Sequence, residues 1–264
     1  MIKNIILLLL IIGNFYNTKA NIIIVNGLTH QFKTEKGQIY TGKIEVQNIG
    51  KTTKSIKLYL QDMSYNSEGE IYYTAPGSNK LTNTDWLKFN TNHIELQPGQ
   101  KSEFSFEFTV PNHITDKGTY WSTCMIEPVE EIPPNNSTNG LQINSVVRYA
   151  IQLITDYSTQ SLSPVIKFKT INVDNSNPQK YLKIALANDG KIFCRANISI
   201  DIFDKKDGIK MEGNFMSQTL GLLPNTSKTF PIDISGLKSG TYKLVAFAKD
   251  ELDNIFAIEF ELDV

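Results

Sequence analysis

Two all-β domains in tandem are what this sequence predicts, and three observations predict them. Apolar and polar residues alternate in run after run, turn residues separate the runs, and one pattern is written twice. Residues 43 to 51 read KIEVQNIGK and residues 183 to 191 read KIALANDGK, an offset of 140. The order is kept downstream. Leu96-Gln97-Pro98 precedes Phe104, Phe106, Phe108 and Val110 at period two and then Gly118-Thr119-Tyr120, whereas Leu223-Pro224 precedes Phe230, Ile232 and Ile234 and then Gly240-Thr241-Tyr242. The offset falls to 126 at the prolines and 122 at Gly-Thr-Tyr, so the first copy carries extra residues.

Residues 1–20 stand apart from this pattern. MIKNIILLLLIIGNFYNTKA has a basic start at Lys3, an apolar run from Ile5 to Ile12 and small residues at Thr18 and Ala20. That run is shorter than the roughly 20 residues a bilayer span needs. It reads as a cleaved secretory signal, with a mature chain from about Asn21 and no membrane insertion afterwards. No Cys follows the run, so a lipid anchor is not expected.

Removing this segment leaves 24 basic against 27 acidic residues, a net charge of −3. Such a balance offers no electrostatic footprint for nucleic acid or an anionic membrane. Arg148 and Arg195 are the only arginines, so bidentate phosphate recognition is scarcely provided for. With 41% hydrophobic residues, the chain has material for two cores of ordinary size.

Strand by strand, the alternation places one face on a core and the other in water. Ile56, Leu58 and Leu60 alternate with Lys57, Tyr59 and Gln61, and Phe256, Ile258, Phe260 and Leu262 alternate with Ala257, Glu259, Glu261 and Asp263. Turns are expected at Asn66-Ser67-Glu68-Gly69, Gln97-Pro98-Gly99, Asp204 to Gly208 and Ser239-Gly240, where Gly and Asn accept positive φ. Short strands at this spacing over about 100 residues predict an immunoglobulin-like β-sandwich. The expected layout is a domain over 21–155, a linker over 156–163 and a domain over 164–264, two independent sandwiches that proteolysis between 156 and 163 would separate. Cys124 and Cys194 sit in apolar runs of different halves and are expected as buried free thiols.

Catalytic chemistry finds little support. Gly50-Lys51-Thr52 resembles the end of a phosphate-binding loop, but Glu45 stands where that loop requires Gly. His30, His93 and His113 lack the spacing of a metal site and read as solvated or turn residues. No Ser occupies a nucleophile elbow. Glu127, Glu130 and Glu131 read as a solvated loop, and Trp86 and Trp121 as core residues. No enzymatic activity, cofactor or metal is expected.

One stretch is more specific. Between Gly118 and Ile154 an aromatic strand with Tyr120-Trp121 is followed by Glu131-Ile132-Pro133-Pro134 and then by a long strand opening Leu141-Gln142-Ile143. This resembles the amino-terminal domain of the periplasmic pilus-assembly chaperones, the PapD-like proteins. The resemblance implies that a strand from Leu141 to Leu153 lies at a sheet edge and captures a protein subunit or surface protein by β-strand addition. The partner-binding residues it implies are Leu141, Ile143, Val147, Arg148 and Tyr149. The family anchors its subunit's carboxyl terminus with an Arg on the first strand and a Lys on the long one. Here the first strand has no Arg, Ala150 aligns with the Lys, and Arg148 is the candidate substitute. The Leu-Gln-Pro-Gly-Gln turn at 96–100 and the Val-Pro before Gly118 also resemble Gram-positive wall-associated scaffolds with two sandwich domains. Those carry a carboxy-terminal membrane stretch, which is not expected here. The expected function is therefore chaperone-like, in the periplasm, with a cell-surface scaffold as the alternative.

Overall fold

The repeated Asn explains why the two halves fold alike. In a computed structural model, which describes residues 21–129, 146–176 and 179–264, Asn48 and Asn188 are both fully buried. Asn48 Nδ2 donates to Thr52 O at 2.8 Å and Leu96 O at 2.9 Å, and its Oδ1 accepts Gly50 N–H at 2.9 Å. Asn188 Nδ2 donates to Ile192 O at 2.7 Å and Leu222 O at 3.1 Å, and its Oδ1 accepts Gly190 N–H at 3.0 Å. Each amide thus ties a turn to the loop ahead of the later Phe-rich or Ile-rich strand. Glycine follows two residues on because another segment of the chain lies close there. A Cβ at Gly190 would meet Val165 N at 2.7 Å, and one at Gly50 would meet Asn21 Oδ1 at 2.9 Å. The Gly-Thr-Tyr repeat is a second shared device. Tyr120 Oη donates to Asp116 O and Tyr242 Oη to Lys238 O, both at 2.9 Å, the tyrosine corner of immunoglobulin-like sandwiches.

The first domain comprises β1 (Ile22–Ile24), β2 (Thr29–Thr34), β3 (Tyr40–Asn48), β4 (Lys54–Tyr65), β5 (Ile71–Thr74), β6 (Leu87–Phe89), β7 (His93–Leu96), β8 (Lys101–Phe108), β9 (Gly118–Val129) and β10 (Tyr149–Tyr157). One sheet has the order β1-β3-β8-β6. The other runs β2-β10-β9-β4-β5, with β7 also on β4. The second domain comprises β11 (Ile166–Asp174), β12 (Tyr181–Asn188), β13 (Cys194–Asp204), β14 (Leu220–Leu222), β15 (Thr226–Asp233), β16 (Thr241–Asp250) and β17 (Ile255–Asp263). Its sheets are β11-β12-β15 and β14-β13-β16-β17. The fold is all-β, two immunoglobulin-like sandwiches in tandem. A 3-10 turn at Thr84–Trp86 is the only helical element among the described residues, none of which forms a helix long and apolar enough to cross a membrane.

Each sandwich closes on its own apolar core, the first around Ile44, Phe104 and Ile126 and the second around Ile184, Ile198 and Phe230. Trp86 belongs to the first core, where its ring lies 4.8 Å from that of Tyr120. Trp121 does not. With Met63, Tyr65, Ile154, Phe193 and Leu223 it forms a third cluster between the domains. The adjacent aromatics Tyr120 and Trp121 therefore serve different cores, because successive residues of β9 point to opposite faces of the sheet.

Hydrogen bonds also join the two halves. Tyr65 Oη donates to Gly221 O at 3.0 Å and accepts Leu223 N–H at 2.9 Å, while Thr119 N–H donates to Lys191 O and Phe193 N–H to Thr119 Oγ1, both at 2.8 Å. Asp156 and Tyr157, read from sequence as linker, are the buried last residues of β10. Cys124 and Cys194 are free and buried, one in each core.

Candidate functional site

At its start the last strand of the first domain pairs on one side only among the described residues. Along β10 the N–H and C=O groups of successive residues point to opposite sides. Odd-numbered residues face β9, with Tyr149 opposite Ile126, and even-numbered residues face the other way. From Gln152 onward that other side is occupied. Gln152 N–H donates to Leu28 O at 2.9 Å, and β2 runs parallel to β10 from Thr29 beside Gln152 to Thr34 beside Tyr157. Among the described residues none covers the outward groups of Ala150.

This corrects the strand expected from Leu141 to Leu153. Leu141 and Ile143 lie outside the described residues. Val147 and Arg148 precede the strand and are exposed, and Tyr149 is its first residue. Leu153 lies where β2 has already closed the edge. Pairing with residues 29–34 could not be read from β10 itself, since its partner is distant in sequence and runs parallel.

Beside Ala150 the two sheets meet at a seam. β1 ends the opposite sheet, and Tyr149 Oη reaches across to donate to Ile22 O at 2.5 Å. Val25 N–H donates to Glu45 O, so the backbone groups of Ile24 point away from β3 and toward this opening. Between β1 and β2 the chain changes sheets at Gly27, whose φ of 90° suits glycine. Val25 and Leu28 on this crossover are exposed, as are Val146 and Val147 at the approach to β10. Four exposed apolar side chains thus border backbone that no described residue pairs. The sequence reading missed Val25 and Leu28, although the Asn26-Gly27 dipeptide interrupting an apolar run marks the crossover.

Arg148 is not a free charge. Its Nε lies 2.5 Å from Glu127 Oε2, Lys57 Nζ lies 2.7 Å from Glu127 Oε1, and Tyr59 Oη donates to Oε2 at 2.9 Å. Glu127 is therefore a largely buried member of β9, not part of a solvated loop; Glu130 and Glu131 lie outside the described residues. Burial alone would raise its pKa, but hydrogen bonds from Lys57 and Tyr59 and the charges of Arg148 and Lys57 outweigh that and lower it. Two cations around one carboxylate leave the cluster with an excess positive charge.

The histidines stay apart, His93 on β7, His113 exposed in a loop, and His30 on β2 with its pKa lowered by burial. No group of three metal-ligating side chains occurs among the described residues.

No protein-family model matches the chain, and no curated protein matches it in sequence. Solved structures similar in fold include the CsuC–CsuE chaperone–tip adhesion subunit pre-assembly complex from archaic chaperone-usher Csu pili of Acinetobacter baumannii, at 15% identity over 82% of this chain and 94% of that one, with a TM-score of 0.45. The class 5 fimbriae chaperone CfaA matches at 14% identity over 91% and 98% of the two chains, TM-score 0.46. The periplasmic chaperone SfaE matches at 9% identity over 92% and 100%, TM-score 0.44.

Proposed function

We propose that this is an exported, non-enzymatic, chaperone-like protein that acts in the periplasm and captures a subunit of a pilus or other surface structure by adding a strand of that subunit beside β10. The observation that carries this reading is the backbone at Ala150, which no described residue pairs on its outer side, bordered by the exposed side chains of Val25, Leu28, Val146 and Val147. An incoming strand would gain main-chain hydrogen bonds from Ala150 and the residues before it, and its apolar side chains would fill the seam between β1 and β10. The Glu-Ile-Pro-Pro and Leu-Gln-Ile elements that resemble the pilus-assembly chaperones support the same reading. Leu141 and Ile143 would extend the contact, and Tyr149 would shape the seam.

Arg148 and Lys57 would receive a carboxylate of the partner by exchange with Glu127, because the cluster has one more positive than negative charge.

Ala150→Pro tests the edge. The N–H of residue 150 points away from β9, so proline there removes the outward donor and leaves that ladder intact. Ala150→Pro and Val147→Asp should each abolish recovery of the partner from the native envelope while the thermal midpoint stays near the parental value, and Arg148→Glu should weaken recovery. Folded variants that recover the partner at the parental level would disprove strand addition at β10.

A further inference from the structure

The second domain repeats the arrangement of the first without its cover. β17 occupies in the second sandwich the place of β10 in the first, next to the strand that carries the tyrosine corner and at the end of its sheet. In the first domain β2 closes most of β10. Among the described residues no strand lies beyond β17.

The hydrogen bonds fix which groups are unpaired. Val264 and Gly240 exchange both backbone hydrogen bonds, and Asp250 N–H donates to Asn254 O, so even-numbered residues of this strand face β16. Ile255, Ala257, Glu259, Glu261 and Asp263 therefore direct their N–H and C=O groups to the open edge, over about 27 Å at a rise of 3.4 Å per residue. Inside this edge, Phe256, Ile258, Phe260 and Leu262 are only half-buried at the margin of the core.

The geometry points to β17 as a second strand-accepting edge, for an extended segment of a partner protein that alternates apolar with basic residues. The charge row decides the occupant. Every charge on the outer face of β17 is acidic, at Glu259, Glu261 and Asp263, and side chains directly opposite on neighbouring strands lie about 5 Å apart. Lys243 and Lys205 pair with Glu259 and Glu261 from within the domain, at exposed sites where such pairs are weak and exchangeable. A second copy pairing β17 with β17 would set two acidic rows side by side and be repelled.

The probe is an acetylated, amidated nine-residue peptide alternating lysine and valine, compared with the same peptide carrying glutamate for lysine. Added to the full chain, the lysine peptide should slow amide exchange at Ala257, Glu259 and Glu261 about tenfold or more. The glutamate peptide should not, and Glu259→Lys with Glu261→Lys should reverse the preference. No slowing at β17, or equal slowing by both peptides, would overturn the proposal and leave the acidic row as a guard on the edge. Slowing at Ala150 alone would also overturn it while sparing the first-domain edge. So would protection that arises without peptide as the sedimenting mass doubles.

Discussion

Asn48 and Asn188 each satisfy two carbonyls and one N–H inside the protein, so removing either amide leaves buried polar groups without partners. Asn48→Ala and Asn188→Ala should each cost about 1–3 kcal/mol, read as a lower urea midpoint, whereas the exposed neighbours Lys51→Ala and Lys191→Ala should change it little. A loss below 0.5 kcal/mol, the ordinary range of surface changes, would contradict the clamp. The repeat of Asn-x-Gly-Lys was visible in the sequence, but its reason was not, because Leu96 and Leu222 lie far along the chain from the amides they receive. The thiols belong to this scale as well. Burial pushes Cys194 from the usual 9.0 up to about 12 and moves Cys124 the same way. A thiol held neutral in the fold stabilises it fully below the unfolded pKa and loses that contribution as pH rises through the folded one. Stability should fall between about pH 9 and 12, less steeply in Cys194→Ala, and a thiol reagent at pH 8 should label either position only on unfolding. Fast labelling of the native chain would contradict this.

At the scale of elements, strands with one face on a core were legible. β8, the Ile56–Leu60 part of β4 and the Phe256–Leu262 part of β17 alternate, and the structure turns their larger apolar residues toward the cores. Elements that depart from half-burial were not. All four residues of β5 are exposed, so it carries no inward face to read, and β6 has three residues. β2 alternates, yet its pairing with β10 follows from the change of sheet at Gly27, which periodicity cannot reveal. The Glu127 cluster escaped notice for a related reason. Lys57, Tyr59, Glu127 and Arg148 come from β4, β9 and the approach to β10, and only the register of Lys57 opposite Glu127 brings them together.

For the whole molecule, the two sandwiches were legible and their union was not, since an interface residue such as Trp121 or Phe193 reads as core. A protease site inserted after Gln160 tests that union. The cut chain should elute from gel filtration as one particle, because the interface includes six buried side chains and hydrogen bonds from Thr119 and Tyr65 that bypass the connection. Tyr65→Phe leaves Leu223 N–H unpaired at a cost of about 1–3 kcal/mol, and Trp121→Ala opens a cavity costing about 3–5 kcal/mol. Together they should let the cut halves separate. Separation without them would show the interface to be too weak for its assigned role.

The parallel pairing of β2 with β10 also sets an order in time. Thr29 leaves the synthesising machinery early and its neighbour Gln152 late, and β10 lies between β2 and β9. Until β10 arrives, β2 has no strand to lie against and β9 has an unpaired flank. Such distant closure is slow compared with local hairpins. The first domain is therefore most vulnerable to mispairing while nearly all of it has already been made.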